Sequence, residues 1–248
     1  MSISSIKIKL YRFFDTPIGS LILKSLIGFV KVPNLKKANS KVNKPFIVSI
    51  TIDTESGYID ENDHRIWQKS KPQAYIGYYK GIENWRKLLK KYNAKATFFL
   101  STNCFKARGN EYKKIVGQLR HLIREGHEIG LHLHPDSDFA LQKSIGKEFN
   151  ATSAYFLNKE EIKMLISHGK KLIKRHLNIE PKSFRWGNWA LNTDAVESLQ
   201  ENGFQIDSSA VPGIKGHEND PAKYDWSKTK QHYPWKLSKS DYQNTINK

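Results

Sequence analysis

Short apolar runs alternate with amphipathic segments along residues 46–207, and this alternation constrains the fold more than any other feature. Runs rich in β-branched or aromatic residues predict strands at 46–52, 96–100, 127–134, 183–185 and 204–207. Apolar residues at helical spacing predict helices at 79–92, 112–125, 159–177 and 193–202. This order predicts an α/β fold with a largely parallel sheet, which is either open or wound toward a barrel.

Charge is distributed unevenly along the chain. The 248 residues carry a formal net charge of +17, and residues 1–45 contain nine Lys or Arg against one acid. Such a surplus favours anionic partners, namely acidic glycans, anionic lipid headgroups or nucleic acid. Nucleic acid is disfavoured, because no zinc-finger spacing, RNA-binding signature or basic-aromatic repeat accompanies the charge.

The first 45 residues are predicted to form a basic N-terminal segment, followed by one domain over 46–248. The apolar stretch 18–30 is too short to span a bilayer, carries Lys24 near its middle and lacks a signal-peptide cleavage site. Two alternatives stay open for it: a helix lying on an anionic membrane surface, or a helix packed on the following domain. Residues 34–45 are predicted to be a linker. The chain has a single cysteine, Cys104, which is compatible with the cytoplasm. The predicted localisation is cytoplasmic, with peripheral association with the membrane and secretion as open alternatives.

Two carboxylates follow the first predicted strand. Alternation along an extended segment places Asp53 and Glu55 on one face and turns Thr54 away. Such a pair can divide its work, one carboxylate holding a metal and the other acting as a base. The alternative is a pair of exposed charges that begin a loop.

Two histidines, His132 and His134, are spaced two apart on the third predicted strand, so both imidazoles point the same way. Neutral imidazole binds zinc and similar divalent ions, and two histidines plus a carboxylate leave positions free for water and substrate. The alternative is a metal-free stacked pair beside Pro135. His127 is interpreted as a residue at the start of the strand and not as a ligand.

The last two predicted strands also end in polar residues. Arg185 could orient a carboxylate through paired hydrogen bonds, and Trp186 and Trp189 either stack on a sugar ring or fill the core. Asp207 closes the final strand, where an orienting role competes with an ordinary turn or capping role. Since catalytic residues of parallel α/β domains gather at the carboxyl ends of strands, these positions predict one shared site.

In this order, the segments 51–55, 96–99, 126–135, 183–192 and 206–209 resemble the polysaccharide deacetylase family, or NodB-homology domain. The resemblance covers about residues 46–213. It implies a distorted (β/α) barrel that removes an N- or O-acetyl group from a carbohydrate with zinc or a similar divalent ion. It also implies that Asp53 is the base, that His132 and His134 bind the metal, and that Arg185 and Asp207 orient the base.

The chain departs from the family pattern in three places. Thr54 stands where many members have a second metal-binding aspartate, and Glu55 is expected to replace it. The histidine pair is two apart instead of four. The late strand and acid histidine have no clear match after Gly213, so the end of the domain is expected to be incomplete. Two alternatives to an active hydrolase follow: a non-catalytic metal- or glycan-binding member, and a membrane-surface protein acting through residues 1–45.

Overall fold

The computed structural model describes residues 48–56, 75–230 and 234–244 and has an α/β architecture. Its five strands are β1 (Thr51–Thr54), β2 (Thr97–Ser101), β3 (Glu128–Leu133), β4 (Ser183–Trp186) and β5 (Ile206–Asp207). Its five α-helices are α1 (Ile82–Lys91), α2 (Gly109–Arg124), α3 (Phe139–Ile145), α4 (Lys159–Leu177) and α5 (Thr193–Glu201).

The strands form one sheet in which every neighbouring pair is parallel and the spatial order follows the chain order. The registers align Asp53 with Phe99, and His132 with both Ser101 and Arg185. Sequential parallel strands with helical crossovers are the winding of a (β/α) barrel, and the described residues contain five such strands. The predicted fold class is confirmed.

The helices end where the sequence provides capping residues. Helix α4 begins with a capping box in which Asn158 and Glu161 satisfy each other's backbone N–H, and it ends at Asn178 in the left-handed conformation. The predicted bounds of α4 agree with the structure. The chain leaves α2 through Gly126, which has a φ of 77° that a residue with a Cβ adopts only at a cost.

The core lies between the sheet and the helices. Phe98, Leu131 and Phe184 of the strands are fully buried. Leu119 of α2 and Leu165 of α4 are also fully buried and belong to the same cluster. This burial fixes which way each strand faces, because a register shift by one residue would expose the apolar set and bury the polar one.

Three sequence predictions need correction. Strand β1 spans Thr51–Thr54 and so includes Asp53, whereas the predicted strand ended at residue 52. The helix predicted from residue 79 begins as a π-helical turn over Gly77–Gly81 and becomes α1 only at Ile82. Helix α3 was not predicted, although Asp138 caps its N-terminus and Gly146 ends it in the left-handed conformation.

The predictions for residues 1–45 lie outside the described residues, and so does the domain boundary that follows them. The interfacial helix, the linker and the anionic membrane partner therefore stay predictions. None of the helices in the described part of the chain combines the length and the apolar character that spanning a bilayer requires.

Candidate active site

The carboxyl ends of the strands bring seven of the eight predicted site residues to one small cavity. Strand β1 directs Asp53 into it, and Glu55 follows directly after the strand, while Thr54 between them is buried on the other side. A cavity of about 120 Å³ has the following lining: Asp53, Glu55, His132, His134, Arg185, Trp186, Asn188 and Trp189. Six of these residues lie at or directly after the ends of three strands, β1, β3 and β4, as expected for a parallel sheet.

Glu55, His132 and His134 form a cluster with metal-ligand character. Glu55 Oε2 lies 3.3 Å from His134 Nε2, and Glu55 Oε1 lies 3.8 Å from His132 Nε2. The ligand atoms of the three residues all lie within 4.8 Å of one another. The two imidazole rings meet nearly edge-on, with centroids 4.8 Å apart. One carboxylate and two imidazoles are a donor set that zinc and similar divalent ions accept.

The hydrogen bonding of His132 supports this interpretation. Its Nδ1 lies 3.0 Å from the carbonyl oxygen of Arg185, which can only accept, so Nδ1 carries the proton in the neutral ring. Its Nε2 then presents a lone pair toward Glu55. This nitrogen is buried, and it has no hydrogen-bond partner among the described residues. A buried imidazole oriented through one nitrogen and unpaired at the other is the arrangement of a metal-binding histidine.

The protonation states of the cluster are coupled. Burial and the neighbouring His132 lower the pKa of His134 to about 4, so His134 is neutral near pH 7. Burial also opposes charge on His132, but the adjacent Glu55 carboxylate outweighs it and raises the pKa of His132. Burial opposes ionisation of Glu55 as well, yet the two histidines lower its pKa overall. Glu55 is therefore ionised beside at least one neutral imidazole.

Gly187 provides the space that His134 occupies. A Cβ at this position would lie 2.5 Å from both Cε1 and Nε2 of His134. Gly187 is buried and follows β4 directly. The close approach of its backbone to the imidazole leaves no room for a Cβ unless the ring moves.

Asp53 is paired with Arg185 across the cavity. Nη1 of Arg185 donates to Asp53 Oδ1 at 2.7 Å, and the Asp53 side chain is 37% exposed. There is one hydrogen bond where the sequence suggested a pair. An accessible carboxylate held by an arginine beside the Glu55–histidine cluster is placed to accept a proton from water.

Asp207 does not line the cavity. Its carboxylate accepts hydrogen bonds from the backbone N–H and the hydroxyl of Ser209, and the Ser209 hydroxyl accepts one from the backbone N–H of Trp186. Burial raises the pKa of Asp207 to about 6. Asp207 therefore organises the chain after β5, and it makes no direct contact with Asp53 that could orient the base.

The two tryptophans have different environments. Trp186 is fully buried, and its indole N–H donates to the carbonyl oxygen of Thr152 at 2.7 Å, so its ring has no face free for a sugar. This environment favours core filling, the alternative left open from the sequence, over the predicted stacking role of Trp186. Trp189 is 43% exposed at the cavity and meets Tyr224 edge-on.

Sequence reasoning missed Asn188, which lines the cavity, and Gly187, which packs against His134. Asn188 and Trp189 both have positive φ, at 51° and 57°, which is costly for tryptophan in particular. The indole N–H of Trp226 donates to the Trp189 carbonyl oxygen at 2.8 Å and helps to hold this conformation. Only the Gly-Asn pair in the sequence hinted at a turn here.

A second, larger cavity of about 370 Å³ lies elsewhere on the described surface. Residues of the 147–161 segment line it together with Asn219 and Pro221. It contains none of the predicted site residues, so the smaller cavity remains the candidate active site.

Comparison with protein families identifies the chain. The sequence model of the polysaccharide deacetylase family matches residues 76–206, just over half of the chain. The chain belongs to the polysaccharide deacetylase family. The resemblance found in the sequence is thereby confirmed, and four of the five strands lie within or reach the matched region. Comparison with curated proteins gives no match.

Three solved structures with similar coordinates are distant in sequence. A pseudoenzyme of the CE4 family from Bacillus anthracis is 16% identical, with 65% of this chain and 42% of that chain covered and a TM-score of 0.41. The deacetylase PplD of Streptococcus pyogenes, in complex with acetate, is 16% identical, with 67% and 57% covered and a TM-score of 0.43. A peptidoglycan N-acetylglucosamine deacetylase, Bc1960, is 21% identical, with 64% and 54% covered and a TM-score of 0.38. The chain thus spans about half the length of these structures.

Proposed function

We propose that the chain is a metal-dependent hydrolase that removes acetyl groups from a carbohydrate. The observation that carries this proposal is the convergence of two separate groups in one cavity. Glu55, His132 and His134 offer metal ligands. The Asp53 carboxylate lies in the same cavity and accepts a hydrogen bond from Arg185. Membership of the polysaccharide deacetylase family supports the acetylated carbohydrate as the substrate class.

Glu55, His132 and His134 would hold a divalent ion, for which zinc is the proposed identity. The chemistry that such an ion supplies when bound is polarisation of a carbonyl oxygen and acidification of water. The carbonyl of Arg185 keeps the proton of His132 on Nδ1, so that Nε2 faces the cluster. Gly187 lets His134 approach Glu55.

Asp53 is proposed to take the proton from the attacking water. Arg185 keeps its carboxylate oriented through the hydrogen bond from Nη1. Once protonated, Asp53 lies in the same cavity as the leaving sugar and can return the proton to its nitrogen or oxygen. Trp189, with its exposed indole, is proposed to stack on a sugar ring at the mouth of the cavity.

Substitution Asp53→Asn tests the proposal directly. We expect acetate release from N-acetylated chitin oligomers or O-acetylated xylan to fall by about 10²- to 10⁴-fold, with metal content and fold retained. Asp194→Asn, which alters a carboxylate in the first turn of α5 and outside the cavity lining, is the matched control. A variant at Asp53 that keeps the full rate would remove it as the base.

A non-catalytic, metal- or glycan-binding role is the second candidate. Among the described residues that line the cavity, every ionisable side chain belongs either to the Glu55–histidine cluster or to the Asp53–Arg185 pair. A separate acid is thus absent from that lining. Stoichiometric metal with no acetate released from either substrate would favour this candidate over the hydrolase.

A further inference from the structure

Arg185 is held by more than the carboxylate it faces. Its Nη2 donates to Thr51 Oγ1 at 2.9 Å and to Ser208 Oγ at 2.7 Å, and its Nε donates to the Ser208 carbonyl oxygen at 3.0 Å. With the bond from Nη1 to Asp53, these contacts use four of the five N–H groups of a guanidinium.

One face of the guanidinium is also covered. The ring of Phe99 lies beneath it, with 4.3 Å from the Arg185 Cζ to the ring centroid. Gly130, the register partner of Phe99 on β3, makes room for that ring, because a Cβ there would lie 2.7 Å from Phe99 Cδ1. The Arg185 side chain is only 14% exposed as a result.

The partners of Arg185 are themselves fixed. Thr51 is in β1, two residues before Asp53, and pairs in register with Thr97. The backbone N–H of Ser208 donates to the Phe184 carbonyl oxygen at 2.8 Å, on the strand that carries Arg185. Thr51 and Ser208 therefore hold the guanidinium from opposite ends of the described sheet, β1 and β5, and leave Nη1 directed at Asp53.

We propose that Thr51 and Ser208 are positioning residues, whose hydroxyl groups fix the plane of the Arg185 guanidinium and through it the orientation of Asp53. This inference rests on the proposed function, in which Asp53 is the base. Neither hydroxyl touches the substrate in this scheme. Both act through Arg185, because they fix the position of its guanidinium relative to Asp53. General-base catalysis is sensitive to displacements of the base of less than about 1 Å.

The kinetic test compares variants that remove or keep each hydroxyl. Thr51→Val and Ser208→Ala should each lower kcat for acetate release by about 10- to 100-fold, with KM and metal content unchanged. The variants Thr51→Ser and Ser208→Thr keep a hydroxyl and should therefore retain most of the kcat of the natural chain. Thr97→Val is the matched control, because Thr97 pairs with Thr51 but its hydroxyl donates to Glu128, outside the cavity.

A spectroscopic arm measures the positioning without any substrate. In proton–nitrogen NMR spectra, the Arg185 Nε–H should exchange slowly with solvent in the natural chain and in Thr97→Val. It should exchange faster in Thr51→Val and Ser208→Ala, and slowly again in the variants that keep the hydroxyl.

The outcomes separate the two proposals. Faster exchange together with reduced kcat supports the inference. Unchanged exchange and unchanged kcat in both hydroxyl deletions would overturn it. If the natural chain releases no acetate, or Asp53→Asn keeps the rate, the proposed function fails and the exchange rates alone decide whether Thr51 and Ser208 hold Arg185. An equal loss of rate in Thr97→Val would also refute the inference, since the effect would then be general to the sheet.

Discussion

Substitution Gly187→Ala should weaken metal binding without touching a ligand. The added Cβ would lie 2.5 Å from His134 Cε1 and Nε2, whereas ordinary contact begins near 3.4 Å, so the ring must retreat by roughly 1 Å. The backbone of Gly187 does not have positive φ, and alanine is therefore excluded only by the imidazole. Since His134 Nε2 is 3.3 Å from Glu55 Oε2, this movement separates two of the three ligand groups.

The expected loss in affinity is about 10- to 100-fold, as for other changes that disturb a ligand from outside the coordination sphere. This corresponds to about 1.4 to 2.7 kcal/mol. Calorimetric titration of the metal-free protein with Zn²⁺ measures it. Gly117→Ala, in α2 with open space around the new Cβ, is the control and should bind like the natural chain. Unchanged affinity in Gly187→Ala would refute the metal centre as described, because His134 could then move freely without consequence.

Three further predictions concern the edge of the site. Because burial raises the pKa of Asp207 to about 6, the folded chain binds its proton more tightly than the unfolded chain. The stability from this group is present below about pH 4 and is lost as the pH rises through 6, by at most about 3 kcal/mol. Asp207→Asn should flatten that part of a denaturation series, and an unaltered slope would contradict the assignment. Trp189→Ala should raise KM for an acetylated oligosaccharide about tenfold, roughly 1.4 kcal/mol, while Trp189→Phe keeps most of the affinity; equal KM values would exclude stacking. Asn188→Gly should leave the fold intact, since glycine accepts the left-handed backbone, whereas Asn188→Val should lower the melting temperature.

Much of the fold could be predicted from periodicity. Helix α4 was predicted with its observed bounds because its apolar spacing runs for five turns and ends in capping signals. Helix α3 was missed because seven residues give too short a pattern, and β1 was placed too early because an apolar run does not tell where pairing begins. The π-helical turn before α1 has no sequence signal of its own.

The candidate site, like the fold, could be predicted from the sequence only in part. Asp53, Glu55, His132 and His134 were found because residues two apart on a strand share a face. For Trp186 the sequence left two roles open, since a tryptophan after a strand suits either the core or a ligand, and only packing distinguishes them. Asn188 and Gly187 were missed because their importance arises from backbone conformation and from closeness to His134, which lies 53 residues earlier in the chain.

What the sequence alone determined is local: the order of strands and helices, the faces of the strands, and a set of polar residues at strand ends that resembles one family. What the tertiary structure decided is which of those residues meet. The single hydrogen bond from Arg185 to Asp53, the carbonyl that orients His132, and the hydroxyls of Thr51 and Ser208 around the guanidinium all join different strands. Their distances depend on register and packing across the whole sheet, which no short window of sequence contains.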